Sequence, residues 1–454
     1  MVINMKKNNV TNTICLSTAM LLTVCALGGC AGGNVSAVSV PRQPEPTEQE
    51  SKTDEEQPVR KTVKADSSEA VASYDDINEF SYKFFVENMD EENPVLSPVS
   101  AYIALSMAGI GAENNTKEEF ASLLGDEEDV KALCQKLMTS LPTETENTTV
   151  TLANSAWIDD TYTVKDDWLS EIDSVMYSEV FRESLSSSKV PGLMNAWIEE
   201  KTNGLIDKMI DQPFDGYTKL VLFNTVYFKA KWAEPFELYD VYTDRFYRED
   251  QEEIDAEIMH KESDMEYLSN DFAEGLIFPY RKDAEDDGNF ALVALKPADE
   301  DMKVRELYEK LTPSVVNELI ENKSTELVNT KLPKFELTFD KVLNESLINM
   351  GLKSAFEPEK ADFSRIGAEY IENSDENLYI NMVRQKAKII VDEEGTEAAA
   401  ATMVTMDCGA ALIEILPKEV FFDRPFVYMI MDMDNEIPLF IGILDSPAAC
   451  GKLP

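Results

Sequence analysis

The chain has 454 residues, which is enough for one large core or for two domains. Hydrophobic residues make up 44% of it and charged residues 28%, as is typical of a water-soluble globular body. The formal net charge of −45 excludes nucleic acid and anionic membrane surfaces as partners, because both would be repelled, and it favours attraction of basic proteins.

The first 29 residues have the pattern of a secretion signal peptide. Lys6 and Lys7 precede an apolar stretch over 14–27 that is too short to span a membrane. Small residues then precede Cys30, as at a bacterial lipoprotein cleavage site, where this cysteine would become the lipid-bearing first residue. The alternative is an ordinary signal peptide with an incidental cysteine. The pattern predicts an exported protein, lipid-anchored through Cys30 to the bacterial cell envelope or secreted to the extracellular space, with the lipid as its one link to a membrane.

A tether over residues 30–73 is predicted to follow. Prolines lie there among Glu, Gln, Ser and Thr, and the few large apolar residues cannot build a core, so we expect disorder. The folded domain is predicted over 74–454. Its cysteines, Cys134, Cys408 and Cys450, are too few and too widely spaced for a disulfide framework.

Apolar spacing predicts the elements of this domain in order. It predicts a helix near 77–85, a buried helix after the Ser-Pro turn at 97–98, a strand over 149–158, a helix over 168–176, a helix that ends at Gly204 and a long strand over 220–232. Further on, it predicts a strand over 332–337, a helix over 343–356, a strand over 386–391 and two buried strands at 423–430 and 439–444. No internal repeat and no second folded domain is evident.

The segment after the strand at 386–391 has an unusual alternation. From Thr396 to Ala410 the even positions carry no charge, whereas both charged residues, Glu397 and Asp407, are at odd positions. Successive side chains of an extended chain point to opposite faces, so this segment could lie inside a sheet with its small neutral side chains inward. Its four consecutive alanines, taken alone, equally favour an exposed helix.

The amino-acid sequence of this segment resembles the hinge of the inhibitory serpins. The residues that carry the resemblance are Glu393, Glu394, Gly395, Thr396, Glu397, Ala398, Ala399, Ala400, Ala401 and Thr402. The likeness extends over about 74–447 and implies an α+β serpin fold, in which helices pack on three β-sheets, with an exposed reactive-centre loop at about 393–416.

The same resemblance assigns a second group of residues. Ser97, Ser100 and Asn224 match the region of serpins called the shutter, although buried serines bonded to backbone are an alternative interpretation. The family usually has a histidine where Gln385 stands, and we expect Gln385 at the upper end of the strand that precedes the hinge. Glutamine can still donate and accept hydrogen bonds there.

The residues needed for catalysis are missing from the sequence. His260 is its single histidine, whereas catalytic triads and histidine-ligated metal sites need more than one such residue or a cluster. A glycine-rich phosphate loop is absent as well. We therefore predict a protein that is not an enzyme, with no catalytic residue, no metal site and no cofactor.

The resemblance implies a suicide inhibitor of an extracellular serine protease. The protease would form an acyl-enzyme with the loop, which would then insert as a new central strand, giving a covalent 1:1 complex with a monomeric inhibitor. About twelve residues that each gain a hydrogen bond worth ~1 kcal/mol would release on the order of 10 kcal/mol. We expect Thr396→Arg to fold normally but to be cut as a substrate. The alternatives are an inhibitor of a cysteine protease and a non-inhibitory serpin-fold binding protein, which usually has bulky or charged hinge residues.

The position of the scissile bond is inferred from the same family. Counting Glu393 as the first residue, Cys408 is the 16th and Gly409 the 17th, where inhibitory serpins are cut. The favoured bond therefore follows Cys408, and Met406, Asp407 and Ala410 are alternatives. Counting back from Pro425 points nearer Glu414. Because no arginine or lysine lies between 395 and 417, we expect an elastase-like target rather than a trypsin-like one. An Asp-specific protease, which would cut after Asp407, is an alternative target.

Overall fold

The computed structural model describes residues 73–284, 288–367, 378–396 and 416–447, and these residues form nine α-helices and sixteen β-strands. The helices are α1 Asp75–Val86, α2 Pro98–Gly109, α3 Asn114–Leu124, α4 Glu127–Ser140, α5 Asp166–Met176, α6 Val190–Lys201, α7 Val304–Lys310, α8 Pro313–Glu321 and α9 Asn344–Asn349. Two short 3-10 helices lie at Leu238–Asp240 and Ser354–Phe356.

The strands belong to two hydrogen-bonded sheets among the described residues. They are β1 Val95–Leu96, β2 Thr143–Glu144, β3 Thr148–Asp159, β4 Glu179–Glu183, β5 Leu220–Lys231, β6 Val241–Tyr247, β7 Glu253–Ser269, β8 Ala273–Pro279, β9 Phe290–Pro297, β10 Ser324–Pro333, β11 Phe335–Val342, β12 Arg384–Val391, β13 Gly395–Thr396, β14 Lys418–Phe421, β15 Phe426–Asp432 and β16 Ile437–Leu444.

The larger sheet has nine strands in the order β1-β16-β15-β9-β8-β7-β10-β14, and β6 also pairs with β7. The 17-residue strand β7 pairs with β6 near its start and with β8 near its end. Because β7 pairs with β6 at one end and with β8 at the other, it joins two of the three sheets implied by the serpin resemblance into one hydrogen-bonded sheet.

The smaller sheet has seven strands in the order β11-β12-β13-β5-β3-β2, and β4 pairs in parallel with β3. Strands β3 and β5 are long, and both are rich in β-branched and aromatic residues, which favour extended structure. The two-residue strand β13 lies between β5 and β12, so this sheet has an unusually short strand at its centre.

Helix α2 is apolar on every side and lies in the core. Its sequence from Pro98 to Gly109 holds only small and apolar residues apart from Tyr102 and two serines, and a helix of this composition is buried all round. Ser97 caps its start, since the side chain accepts a hydrogen bond from the Ser100 amide, and Pro98 occupies the first turn, where a missing N–H costs nothing. The cap places polar groups beneath the smaller sheet.

Most predicted elements agree with these bounds, but two differ. The strand predicted over 332–337 is divided, because β10 ends at Pro333 in the larger sheet and β11 begins at Phe335 in the smaller one. The helix predicted over 343–356 is shorter. Helix α9 ends at Asn349, and the Leu352 amide then donates to the carbonyl of Leu347, at 3.0 Å. Gly351 has a φ of 115°, which a glycine adopts without strain and which terminates the helix.

Residues 1–72, which hold the predicted signal peptide and nearly all of the predicted tether, lie outside the described residues. The described helices are all too short or too polar to cross a bilayer.

An ion cluster at the start of α4 is expected to make the stability of the folded protein depend on pH in the acid range. Glu127 lies 2.5 Å from Lys117, 2.6 Å from Lys131 and 2.8 Å from Arg365. Burial opposes ionisation of Glu127, but these three cations outweigh it and hold its pKa at about 2. Because this pKa lies below the ordinary value of 4.5, the stability that the cluster contributes is present above that value and is lost as the pH falls towards 2.

We therefore expect Glu127→Gln to flatten part of the loss of unfolding free energy between pH 4.5 and pH 2, measured by urea denaturation. Glu199→Gln, at an exposed position of α6 outside this cluster, is the control and should keep the wild-type slope. An identical pH dependence in Glu127→Gln and wild type would contradict this account.

Candidate functional site: a seam in the smaller sheet

The smaller sheet is open between β5 and β12. Strand β5 pairs with β3 along 220–230, and β12 pairs with β11 along 384–391, but each faces the other with its remaining edge. Within the described residues these facing edges are joined only through β13, at one end of the seam. A cavity of about 320 Å³ lies along the seam and is lined by β5, β12, α2 and the segment 205–214. Unpaired strand edges are templates for another strand.

The start of α2 bonds to both strands that border the seam. Gln385 of β12 accepts from the Ser97 amide at 3.1 Å and donates to the Ser97 carbonyl at 2.8 Å. Ser100 donates through its hydroxyl to the backbone carbonyl of Asn224 on β5, at 3.4 Å. The predicted shutter residues Ser97, Ser100 and Asn224 therefore lie together beneath the seam.

Gln385 and Asn154 lie beneath the seam beside the predicted shutter residues. Gln385 is the second residue of β12 and lies six positions before Val391. It is therefore at the end of the strand away from the hinge, and the expectation that it lies at the upper end, next to the hinge, is wrong. Asn154 was not predicted; its Oδ1 accepts from the Asn224 amide nitrogen at 2.6 Å, and its own Nδ2 donates to the Met176 carbonyl at 2.7 Å. The available signal was an asparagine within the otherwise apolar part of β3.

We expect Gln385→Ala to lower the free energy of unfolding by about 1–3 kcal/mol, because the Ser97 amide and carbonyl would both lose a buried partner. Chemical denaturation measures this change. Gln135→Ala, on the exposed side of α4, is the matched control and should change stability by about 0.5 kcal/mol or less. Equal losses in the two variants would show that the bonds to Ser97 contribute nothing specific.

A tight turn brings the chain from β12 into the seam. The carboxylate of Asp392 accepts from the Glu394 amide at 2.9 Å and from the Gly395 amide at 3.2 Å, and the Asp392 amide donates to the Gly395 carbonyl at 2.9 Å. Burial raises the pKa of Asp392. Trp232 fixes the turn from outside, since its indole N–H donates to the Asp392 carbonyl and its backbone N–H to the Glu394 carbonyl.

Glu393 is held in this turn by an ion pair. Its carboxylate lies 2.6 Å from Nζ of Lys334. Burial opposes ionisation, but Lys334 outweighs it, so the pKa of Glu393 is below its ordinary value. The Glu393 carbonyl also accepts from the Phe236 amide at 2.9 Å. The predicted start of the hinge is therefore a fixed part of the sheet.

Gly395 allows β13 to approach β5 closely. It pairs with Lys231, and a Cβ atom at this position would overlap the carbonyl oxygen of Ala230 and lie 2.7 Å from Cα of Lys231. Both are backbone atoms of a paired strand, which cannot move aside as a side chain can. The glycine is therefore required by the close packing of these two strands.

Thr396 already occupies the seam. It pairs with Ala230 on one side and Val391 on the other, its side chain is directed inward, and it is 2% exposed. The inward direction agrees with the alternation in the sequence. Because Thr396 is buried in the intact protein, an arginine at this site would displace β13, so we now expect Thr396→Arg to be less stable than the wild type.

The remaining predicted site residues lie outside the described residues. They are Glu397, Ala398, Ala399, Ala400, Ala401 and Thr402 of the hinge, Met406, Asp407, Cys408, Gly409 and Ala410 at the candidate reactive bond, and Cys30.

The smaller sheet is therefore open between β5 and β12 along most of its length, and the turn at 392–395 leads the chain into one end of this opening. The family model described as Serpin (serine protease inhibitor) matches residues 75–447. This chain belongs to the serpin family.

Three relatives illustrate the similarity. An uncharacterized serpin-like protein of Thermococcus kodakarensis is 31% identical over 378 residues, which cover 82% of this chain and 85% of that protein. A serine protease inhibitor of Cyanea capillata is 27% identical over 372 residues, covering 79% of this chain and 93% of that protein. The crystal structure of the thermophilic serpin tengpin in its native state has a TM-score of 0.74 and 35% identity, covering 82% of this chain and 93% of tengpin.

Family membership also decides the question of catalysis. Serpins are inhibitors or binding proteins without enzymatic activity, and many of them act on serine proteases, so this protein is not an enzyme. Serpins generally have proteases as their targets.

Proposed function

We propose that this serpin inhibits an extracellular serine protease as a suicide substrate. The protease attacks the loop that follows β13 and becomes acylated on it. The cut loop then enters the seam between β5 and β12, carries the protease along and distorts its active site. The observation that carries this proposal is the open seam with Thr396 already inside it.

The register of β13 supports further insertion. Thr396 lies opposite Ala230 on β5, and the same antiparallel register would bring Thr402 opposite Asn224 on that strand and opposite Gln385 on β12. The inserted strand would then reach the predicted shutter with a neutral side chain inward. A charged residue there would have to be buried without a partner, which the alternation of the sequence avoids.

The inner face of β5 supports the energetics. Leu220, Leu222 and Val226 pack against the core but are only half-buried beside the seam. A strand that entered would cover these side chains and pair both free edges, which adds apolar burial to roughly 1 kcal/mol for each hydrogen bond gained. The uncut protein is thus a kinetically trapped state.

The target we propose is an elastase-like protease that cuts after Cys408. Apart from Asp407, the residues around this bond are small or apolar and suit a shallow specificity pocket. A trypsin-like pocket would need an arginine or lysine, which the segment lacks between 395 and 417.

Incubation with a panel of serine and cysteine proteases tests the proposal. We expect an elastase-like serine protease to form a covalent complex that survives SDS. The mass of the released C-terminal peptide should show that the peptide begins at Gly409. A complex with a cysteine protease alone would redirect the target class. Cleavage by the whole panel without any complex would instead support a non-inhibitory binding protein and overturn the proposal.

We propose in addition that residues 1–29 are a lipoprotein signal peptide and that 30–73 tether the serpin domain of 74–454 to a lipid on Cys30. The small residues before Cys30 support this assignment. Metabolic labelling with a lipid precursor should mark the wild type but not Cys30→Ala, and equal label in both would exclude lipidation.

A further inference from the structure

Tyr280 is directed at the point where the chain enters the seam. It follows β8, and its amide donates to the Phe290 carbonyl at 2.9 Å, so its backbone is fixed in the larger sheet. Its ring stacks on Trp232 with centroids 4.7 Å apart and planes 8° apart, and Phe228 meets it edge-on at 5.0 Å. Contacts on these sides hold the phenol in one orientation.

The hydroxyl of Tyr280 is hydrogen-bonded to Oγ1 of Thr396 at 2.6 Å. Both residues are buried, with 3% and 2% of their surfaces exposed. A buried hydroxyl that loses its partner is costly, so each side chain stabilises the buried position of the other. The pair joins a fixed residue of the larger sheet to the first inward residue of the loop.

Trp232 links this pair to the turn before it. The same residue that stacks on Tyr280 donates to the carbonyls of Asp392 and Glu394. The turn and Thr396 are therefore positioned by adjacent groups, and the hydroxyl pair acts at the last described residue of the hinge.

We propose that Tyr280 is a positioning residue that holds Thr396 in the seam before cleavage and so sets the register in which the loop enters. Shifting a strand by one residue turns every side chain to the opposite face. At this depth only a residue directed inward can reach the Tyr280 hydroxyl, so the bond selects the register that turns Thr396 and the even positions after it inward. The role in insertion rests on the proposed inhibitory function.

A double-mutant cycle of Tyr280→Phe, Thr396→Val and the two changes combined tests this role. Each single change keeps the shape of the side chain but leaves one buried hydroxyl unpaired. The control is Tyr82→Phe, a buried tyrosine whose hydroxyl contacts the Met429 sulfur at 3.6 Å, far along the chain from the hinge. The first readout is hydrogen exchange of the β13 amides in the intact protein, which needs no protease. The second is the number of molecules cleaved for each covalent complex formed.

We expect each single change to speed β13 exchange by about fivefold to tenfold and to raise the cleaved fraction, as expected for one lost hydrogen bond. The combined variant should be no worse than either single one, because the two hydroxyls act as a unit. Tyr82→Phe should alter neither readout. Unchanged exchange, additive effects, or faster exchange with an unchanged cleaved fraction would each overturn the proposal. Absence of any complex in wild type would count against the inhibitory function, whereas the exchange data would still decide whether Tyr280 holds Thr396.

Discussion

Replacement of Thr396 by arginine is expected to abolish the covalent complex with a protease and to lower the melting temperature of the uncut protein. The site is 2% exposed, and the structure places the neutral hydroxyl of Tyr280 against it. Burying an unpaired guanidinium costs several kcal/mol, so β13 should leave the seam rather than accept it. SDS gels after incubation with the target and a thermal melt measure the two effects.

An arginine elsewhere in the same sheet provides the matched control. Thr338 is an exposed residue of β11, and Thr338→Arg should keep both the complex and the wild-type melting temperature within a few degrees. If Thr396→Arg still formed a stable covalent complex, the inward assignment of Thr396 during inhibition would be wrong.

Replacement of Gly395 by alanine should slow complex formation by about tenfold or more. The added methyl group would overlap the Ala230 carbonyl oxygen, and overpacking of this kind costs about 1–3 kcal/mol, which corresponds to roughly 5- to 150-fold in a rate or equilibrium. Since the obstacle is backbone, β13 must withdraw from β5. Stopped incubations that follow the appearance of the complex against time give the rate.

Gly216→Ala controls for the loss of a glycine as such. A Cβ atom at Gly216 would meet no atom within 4 Å, so this variant should match the wild-type rate. Equal rates for Gly395→Ala and wild type would mean that insertion does not require the close approach of β13 and β5 that the structure shows.

Local patterns were sufficient to predict the elements that border the seam. The apolar run over 220–232 became β5, the helix after Ser97 became the buried α2, and the alternation after Gly395 agrees with the inward side chain of Thr396. In each case the information is periodic and lies within a few residues, which is why sequence alone carries it.

The contacts that fix the seam could not be predicted in this way. Tyr280 and Thr396 are 116 residues apart, and Ser97 and Gln385 are 288 residues apart. Nothing in the neighbourhood of Gln385 indicates that it bonds to the start of α2 rather than lying near the hinge. Such pairs follow from the order of strands in the sheet, which sequence periodicity does not determine.

The central claim is that severing the loop lets it become a strand of the smaller sheet, and the melting temperature of nicked protein tests it most directly. The protein should be cut once near Cys408, separated from the protease and melted beside the intact form, with nicked Thr396→Arg as the control. The account predicts that the nicked wild type melts higher by roughly 10 °C or more, from a gain on the order of 10 kcal/mol, and that the nicked control does not. A nicked wild type that melts at or below the intact protein would contradict it.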